Sequence, residues 1–261
     1  MNFRIENAFQ TTRRGFLKGG AGLALAIVTP VMADTPAAGP GLAGSTMVDG
    51  EFSPSAFIRI DTDGTVTIVS KHLEMGQGVY TGLATLVAEE LDADWSKVKV
   101  EGAPADAKRY NNLFWGPAQG TGGSTAIANS FEQMRRAGAT ARAMLVAAAA
   151  EQWKVPPSQI SVKAGVVSHA ASGRKAGFGE LAEAAGRQAV PAEVKLKDPK
   201  DFTLIGRSAP RVDSVSKTTG RAIFTQDVKL PGMLVAVVAH PPRFGGKVAS
   251  VDDKAARAIA G

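Results

Sequence analysis

Apolar and polar residues alternate along Ala56-Phe57-Ile58-Arg59-Ile60 and again along Thr65-Val66-Thr67-Ile68-Val69. A period of two puts successive side chains on opposite faces of a strand. Asp61-Thr62-Asp63-Gly64 joins the runs, so the pair predicts a β-hairpin with a glycine-bearing turn. The period then changes. Val79, Leu83, Leu86, Val87 and Leu91 recur at helical spacing and predict one helix with a buried stripe, which leaves Glu89, Glu90 and Asp92 on its wet side. Residues 97–101 alternate again and read as a strand. Residues 126–153 predict a long alanine-rich helix carrying Phe131, Met134, Met144, Leu145 and Val146, closed by Pro156 and Pro157. A small hairpin (160–162 with 166–168) and a short amphipathic helix (178–187) follow. Residues 190–201, with Pro191, Pro199 and several lysines, read as a connector. Beyond it, residues 221–225, 233–239 and 247–251 are expected to be strands, and a helix opens at Asp252. Three strands and part of a helix do not close a core, so the end at Gly261 reads as an interruption.

The N-terminus has a different character. Thr11-Thr12-Arg13-Arg14-Gly15-Phe16-Leu17-Lys18 precedes a weakly apolar, Gly- and Ala-rich run. That run is shorter than the ~20 apolar residues a bilayer span needs. A twin arginine before a short apolar run predicts export of a folded protein, with Val31-Met32-Ala33 as a plausible cleavage point. Residues 1–33 are therefore expected to be a twin-arginine signal segment and 34–54, rich in Pro, Gly and Ala, a linker. The chain has 261 residues, 44% hydrophobic and 21% charged, an ordinary globular balance. Half of its net charge of +6 comes from the first 33 residues, where four basic side chains face one acid. The remainder carries no nucleic-acid footprint. No cysteine is present, which excludes disulfides, thiolate zinc sites and an iron–sulfur cluster held by this chain. His72, His169 and His240 show no local ligand spacing, and no protein-ligated metal is assigned.

Candidate chemistry lies in two glycine-rich turns, each feeding a helix. The first is Glu74-Met75-Gly76-Gln77-Gly78 and the second Gln119-Gly120-Thr121-Gly122-Gly123-Ser124-Thr125. Glycine lets backbone approach a ligand closely, and the first N–H groups of a helix favour an anion. Together they suggest a cleft for something large and phosphorylated. Gln77 offers a donor and an acceptor to a heterocycle edge. Ser124 and Thr125 add hydroxyls, for which plain helix capping is the simpler reading. Tyr110, Phe114 and Trp115 between the turns can wall a pocket beside a cofactor turn, but each is expected to pin the loop to the core. Gly76-x-Gly78-x-x-x-Gly82 also resembles a dinucleotide fingerprint. Against it stand the alternating strand, where a central parallel strand should be apolar throughout, and the four residues between strand and turn. A nicotinamide-binding protein remains a minor alternative.

Glu74-Met75-Gly76-Gln77-Gly78-Val79-Tyr80-Thr81, with Val87-Ala88-Glu89-Glu90-Leu91 behind it, resembles a cofactor segment of the xanthine-oxidase-type molybdenum hydroxylases. Thr121-Gly122-Gly123-Ser124-Thr125 resembles a second. Gly206-Arg207-Ser208-Ala209-Pro210-Arg211-Val212-Asp213, Lys217-Thr218-Thr219-Gly220-Arg221-Ala222 and the run from Asp227 to Leu234 resemble the start of that family's hammerhead α/β domain. The order, with a twin-arginine segment in front, is similar to the large subunits of isoquinoline 1-oxidoreductase and exported aldehyde dehydrogenases. The resemblance implies an α+β fold: residues 55–197 as part of a molybdopterin-binding domain and 198–261 as the start of an incomplete hammerhead domain. It implies a molybdenum–molybdopterin cytosine dinucleotide, contacted by Gly76, Gln77, Gly78, Gly122, Gly123, Ser124 and Thr125. It implies hydroxylation of aldehydes or N-heterocycles with oxygen from water. The implied partners are the remainder of the large subunit and a [2Fe-2S] small subunit, with a cytochrome c as a candidate electron acceptor. The implied location is the periplasm or the periplasmic face of the inner membrane. The family's general-base glutamate lies in a Gly-x-Gly-Glu-like segment that this sequence lacks; Glu74 belongs to the cofactor motif and is a poor substitute. No catalytic residue is assigned, and the 261 residues alone are expected to be inactive. The other class of reading is an exported, non-catalytic cofactor-binding module.

Overall fold

The computed structural model describes residues 23–25 and 57–259. The twin-arginine and linker readings, residues 23–25 apart, fall outside the described residues. Among those described, residues up to 222 form one compact unit and residues 223–259 belong to another.

The first unit is built on a four-stranded sheet in the order β1 (Leu23–Leu25), β2 (Ile58–Ile60), β3 (Val66–Ser70), β4 (Val98–Gly102). β2 and β3 form the expected antiparallel hairpin, and β1 pairs antiparallel with β2. β3 pairs parallel with β4, Val66 opposite Val98 and Ser70 opposite Gly102. Helix α1 (Val79–Leu91) makes the crossover between them, a strand–helix–strand unit in which Thr67 is buried. The alternation that argued against a parallel strand was therefore misleading, because a threonine hydroxyl is small enough to be covered. A four-residue helix α2 (Ala107–Tyr110) leads to the second glycine turn and the long helix α3 (Ala126–Trp153).

Ile58, Ile60, Val66 and Ile68 from the sheet meet Leu83, Val87 and Leu91 of α1 and Met134, Met144 and Leu145 of α3 in one core. The helices approach so closely that a Cβ on Gly138 would stand 2.4 Å from the Val87 carbonyl oxygen. Only glycine fits that crossing. Beyond α3, β5 (Ile160–Lys163), β6 (Val166–His169) and β7 (Arg174–Gly177) form an antiparallel three-stranded sheet. The third strand, Arg-Lys-Ala-Gly, carries no alternation and was not foreseen. Helix α4 (Phe178–Gly186) follows, its first turn closed by Glu180 accepting from Gly177 N–H at 2.6 Å.

Two expectations fail. Glu89 and Glu90 are buried, at 1% and 0% exposure. The supposedly wet side of α1 is covered by the chain at 197–205. Glu89 accepts from the N–H groups of Thr203, Leu204 and Ile205 at 2.8, 2.6 and 3.1 Å and from Lys197 Nζ at 3.0 Å. Glu90 pairs with Arg135 Nη2 at 2.7 Å and accepts from Lys197 N–H at 3.0 Å. The predicted strands at 221–225, 233–239 and 247–251 do not form. Those residues pair with no neighbouring strand, and Leu234, Val235 and Val237 are 83%, 89% and 95% exposed. Without a partner for its N–H and C=O groups an apolar run gains nothing by extending as a strand. Among the described residues of that unit the regular elements are a single 3-10 turn (Thr225–Asp227) and the short helix Lys254–Arg257.

Candidate functional site

The chain leaves β3 through two buried residues, Lys71 and His72, and enters the first glycine turn. Glu74 organises that turn. Its Oε1 accepts from Gly76 and Gly78 N–H at 2.8 and 2.9 Å, and its Oε2 accepts from Tyr80 N–H at 3.0 Å. Burial opposes the charge, but these three bonds outweigh it and hold the carboxyl below its ordinary pKa. Gly76 (φ 108°) and Gly78 (φ 93°) sit in the left-handed region, where a side chain would be strained. Gln77 is turned inward on its own loop: Oε1 accepts from Met75 N–H at 2.6 Å, and Nε2 donates to the Leu73 carbonyl at 2.9 Å. The positive end of α1 is thus already occupied by a carboxylate from its own chain. The first turn is a rigid close-approach surface rather than an open anion site.

Arg211 reaches this turn from 135 residues away in sequence, donating from Nη1 to the Gly76 carbonyl at 3.1 Å and pairing with Glu74 Oε1 at 3.4 Å. Asp213 holds the guanidinium at 3.1 Å. Arg211 and then Lys217 stabilise the Asp213 carboxylate and bring it down to about 2. Val212 N–H donates to Thr81 Oγ1 at 3.2 Å, so the whole 211–213 segment is fastened to α1. No local pattern announces such a contact, and spacing alone assigns Arg211 no role at the site.

The second turn lies against the first. Leu73 N–H donates to Thr121 Oγ1 at 2.8 Å, and His72 Nδ1 lies 3.0 Å from the Gly120 carbonyl. The other ring nitrogen, Nε2, is 3.0 Å from Asn129 Nδ2. An amide donor there requires Nε2 to accept, so the proton is assigned to Nδ1, which donates to Gly120. Burial, assisted by the neighbouring Lys71, keeps this imidazole neutral by lowering its pKa. Lys71 itself is pushed down to about 8 by burial and donates from Nζ to Gln133 Oε1 at 2.8 Å. These contacts make one unit of β3, both glycine turns and the start of α3.

Within the second turn Gly123 (φ 60°) and Ser124 (φ 54°) are both left-handed. Ser124 is exposed. Thr125 donates its hydroxyl to the Gly122 carbonyl at 2.8 Å and accepts from Asn112 Nδ2 at 2.7 Å, leaving α3 with no side-chain cap. The capping reading of Thr125 is therefore replaced by a turn-closing one. The 28-residue helix α3 presents its positive end uncapped beside an exposed serine hydroxyl, whereas α1 has its end filled. The structure fastens the two turns at His72 and Leu73 to Gly120 and Thr121, beside the groups Gly76, Gln77, Gly78 and Gly122, Gly123, Ser124, Thr125, which have different local hydrogen bonding. Leu73 (59% exposed) and Met75 (70%) in the first turn, and Phe114 (61%) and Trp115 (43%) in the loop before the second, are exposed apolar side chains. A groove of about 450 Å³ lies elsewhere, between α3, β5 and residues 193–195.

Residues 4–225 match the molybdopterin cofactor-binding domain family. The chain is 36% identical to the β subunit of isoquinoline 1-oxidoreductase from Brevundimonas diminuta, over 98% of this chain and 37% of that one. It is 35% identical to a membrane-bound aldehyde dehydrogenase [pyrroloquinoline-quinone] of Gluconacetobacter polyoxogenes, over 96% of this chain and 32% of the relative. A nicotinate dehydrogenase subunit from Pseudomonas putida is 36% identical over 81% of this chain and 17% of its own length. The chain thus spans little more than a third, or less, of each of these relatives.

Proposed function

This chain belongs to the molybdopterin cofactor-binding domain family, and from that premise we propose that it supplies part of the cofactor cradle of a molybdenum oxidoreductase acting on aldehydes or N-heterocycles. The observation that carries the reading is the uncapped start of α3 at Gly122–Thr125, fastened to a second glycine turn through Leu73 and Thr121. Uncapped N–H groups and the Ser124 hydroxyl suit phosphate oxygens. The left-handed Gly123 and the glycines at 76 and 78 keep Cβ atoms out of the way of a bulky ligand. Gln77 maintains the shape of the first turn, and any contact it makes comes from the outer edge of an amide already bonded to Met75 and Leu73. When bound, the cofactor supplies the two-electron redox chemistry; the residues of this chain hold and orient it. The reading includes the cytosine dinucleotide form, oxygen from water, a [2Fe-2S] small subunit that takes the electrons, and walls from the remainder of the large subunit. A cytochrome c is a fitting final acceptor. Arg13-Arg14 supports periplasmic delivery by the twin-arginine route. No described helix is long and apolar enough to cross a membrane.

The test is composition and turnover of the full-length protein purified with its partner subunits. Molybdenum, pterin and a cytidine nucleotide are expected in equal amounts, together with dye-linked oxidation of aldehydes or N-heterocycles. Gly123→Val forces a branched side chain into a left-handed position and is expected to lower the molybdenum content by roughly tenfold in protein that still folds. Purified complex free of molybdenum and pterin would overturn the reading.

A further inference from the structure

Four segments of the chain meet at two buried side chains, His72 and Asn129. His72 stands two residues beyond β3, with Nδ1 at 3.0 Å from the Gly120 carbonyl of the second turn and Nε2 at 3.0 Å from Nδ2 of Asn129 on α3. That same Nδ2 donates to the Thr125 carbonyl at 2.7 Å and the Ala126 carbonyl at 3.3 Å. Asn129 Oδ1 accepts from Leu113 N–H at 3.3 Å, which ties in the loop before the second turn. These bonds fix the amide. Turned over, it would set its oxygen against two carbonyl oxygens and its NH₂ against a backbone N–H. Nε2 must therefore accept, and a proton placed on it would set two donors against each other. Asn129 cannot give way without losing its bonds to Thr125, Ala126 and Leu113. A protonated ring has to leave instead, and the Gly120 carbonyl then loses its donor.

We propose that His72 is a positioning residue of the cradle: its imidazole latches the second glycine turn to the start of α3 only while neutral with the proton on Nδ1, and protonation at Nε2 releases the turn. The consequence for the cofactor rests on the cofactor-cradle reading above; the latch itself does not. Once released into water the ring has an ordinary pKa of about 6.5. In the closed state burial lowers it, opposed by the Gly120 carbonyl and assisted by Lys71. A group whose folded value is lowered keeps its full contribution above the open-state value and loses it as pH falls below that value. Opening should therefore become easier below pH ~6.5, by up to about tenfold per pH unit until the closed-state value is reached. Lys71 is the charged neighbour that acts on the ring. Residues 111–125, which include the Leu113 loop and the second turn, carry no charged side chain, and α3 meets the ring with the uncharged Asn129. Glu74 and Glu89 are held below the ordinary carboxylate range and stay ionised in this window, while Lys71, at about 8, stays charged. His169 lies on β6, and His240 belongs to the other unit.

The experiment uses the full-length protein with its partner subunits, as wild type, H72Q and H72N. The glutamine amide offers an acceptor toward Asn129 and the asparagine amide a donor toward Gly120, and neither takes up a proton. Two quantities are followed from pH 7.5 to 5.5. The first is amide protection at Leu73 and Leu113 in cofactor-free complex, corrected for the intrinsic pH dependence of exchange. These amides bond to Thr121 and Asn129 and report the latch directly. The second is the rate of cofactor loss on dilution of loaded complex. In the wild type, protection is expected to fall and cofactor loss to quicken by roughly tenfold between pH 6.5 and 5.5. Both variants are expected to hold the turn less well at pH 7.5 and to show no such step in acid. Wild-type protection that falls no further than in H72Q or H72N would overturn the latch, and either variant suffices if the other fails to fold. Protection that falls in the wild type alone while cofactor loss stays flat would overturn the positioning role. A wild-type complex without molybdenum or pterin would instead remove the cofactor-cradle reading, and the amide measurement would still decide the latch.

Discussion

Glu89→Ala is expected to destabilise the protein by ~3–5 kcal/mol, the range for breaking a buried ion pair by removing one partner. The carboxylate is fully buried and accepts from three consecutive backbone N–H groups, at Thr203, Leu204 and Ile205, as well as from Lys197. Alanine leaves those three donors without their acceptor in a place water reaches poorly. Lys197 keeps Asp92 at 2.6 Å, which limits the loss. In the full-length protein the melting temperature should fall by ~10 °C, and trypsin should cut at Lys197 and Lys200 well before the core. A shift within ~2 °C, with cleavage unchanged, would show that the 197–205 segment is held by something else. The pH dependence has a definite sign. Burial raises the Glu89 pKa, but the bonds from Leu204, Ile205, Lys197 and Thr203 outweigh it, so the folded value lies below 4.5. A depressed carboxylate stabilises above its unfolded pKa and loses that contribution as pH falls through the folded value. The gap between wild type and Glu89→Ala should therefore be full at neutral pH and shrink in acid.

Glu74→Gln is expected to loosen the first glycine turn without unfolding the domain. The glutamate uses both oxygens for three backbone donors and faces Arg211 as well. Glutamine has one oxygen, and its NH₂ would confront a backbone N–H where an acceptor is needed. The charge opposite Arg211 disappears too. Amide exchange at Gly76, Gly78 and Tyr80 should quicken by roughly tenfold or more, and cofactor retention should fall because the turn loses its shape. Exchange at α1 beyond its first turn should be nearly unaffected. Unchanged exchange at all three amides would mean that Glu74 is dispensable to the turn.

Periodic elements were legible because their signal is local. The 58–68 hairpin and α1 follow from spacings that one strand or one helix imposes on itself. Glu89 and Glu90 show where that logic stops. A polar face is solvated only if nothing later covers it, and here the cover arrives 114 residues on, at Thr203. The parallel pairing of β3 with β4 was hidden for a related reason, since a buried Thr67 reads as the polar half of an alternation. At the site, the glycine turns were visible as motifs, but their division of labour was not. Nothing in the spacing of Glu74 shows that it fills the end of α1, or that Thr125 closes a turn instead of capping a helix. Trp115 was expected to pin its loop, and the edge of its ring does meet Gly120 and Gly122. Arg211 was placed by resemblance at the start of a hammerhead domain, and its bond to the Gly76 carbonyl has no local signal, because only the folded chain brings the two together. Runs 233–239 and 247–251 have strand-like composition but lack neighbours, and a strand needs both.

The most direct measurement is hydrogen–deuterium exchange, resolved to single amides, on the full-length complex with and without its molybdenum cofactor. On the proposed cofactor-cradle reading, the amides from Gly122 to Ala128, at the uncapped start of α3, should slow markedly when cofactor is bound. Those of Gly78 and Tyr80, already held by Glu74, should change little. Equal protection at both turns, or none at the start of α3, would contradict the account.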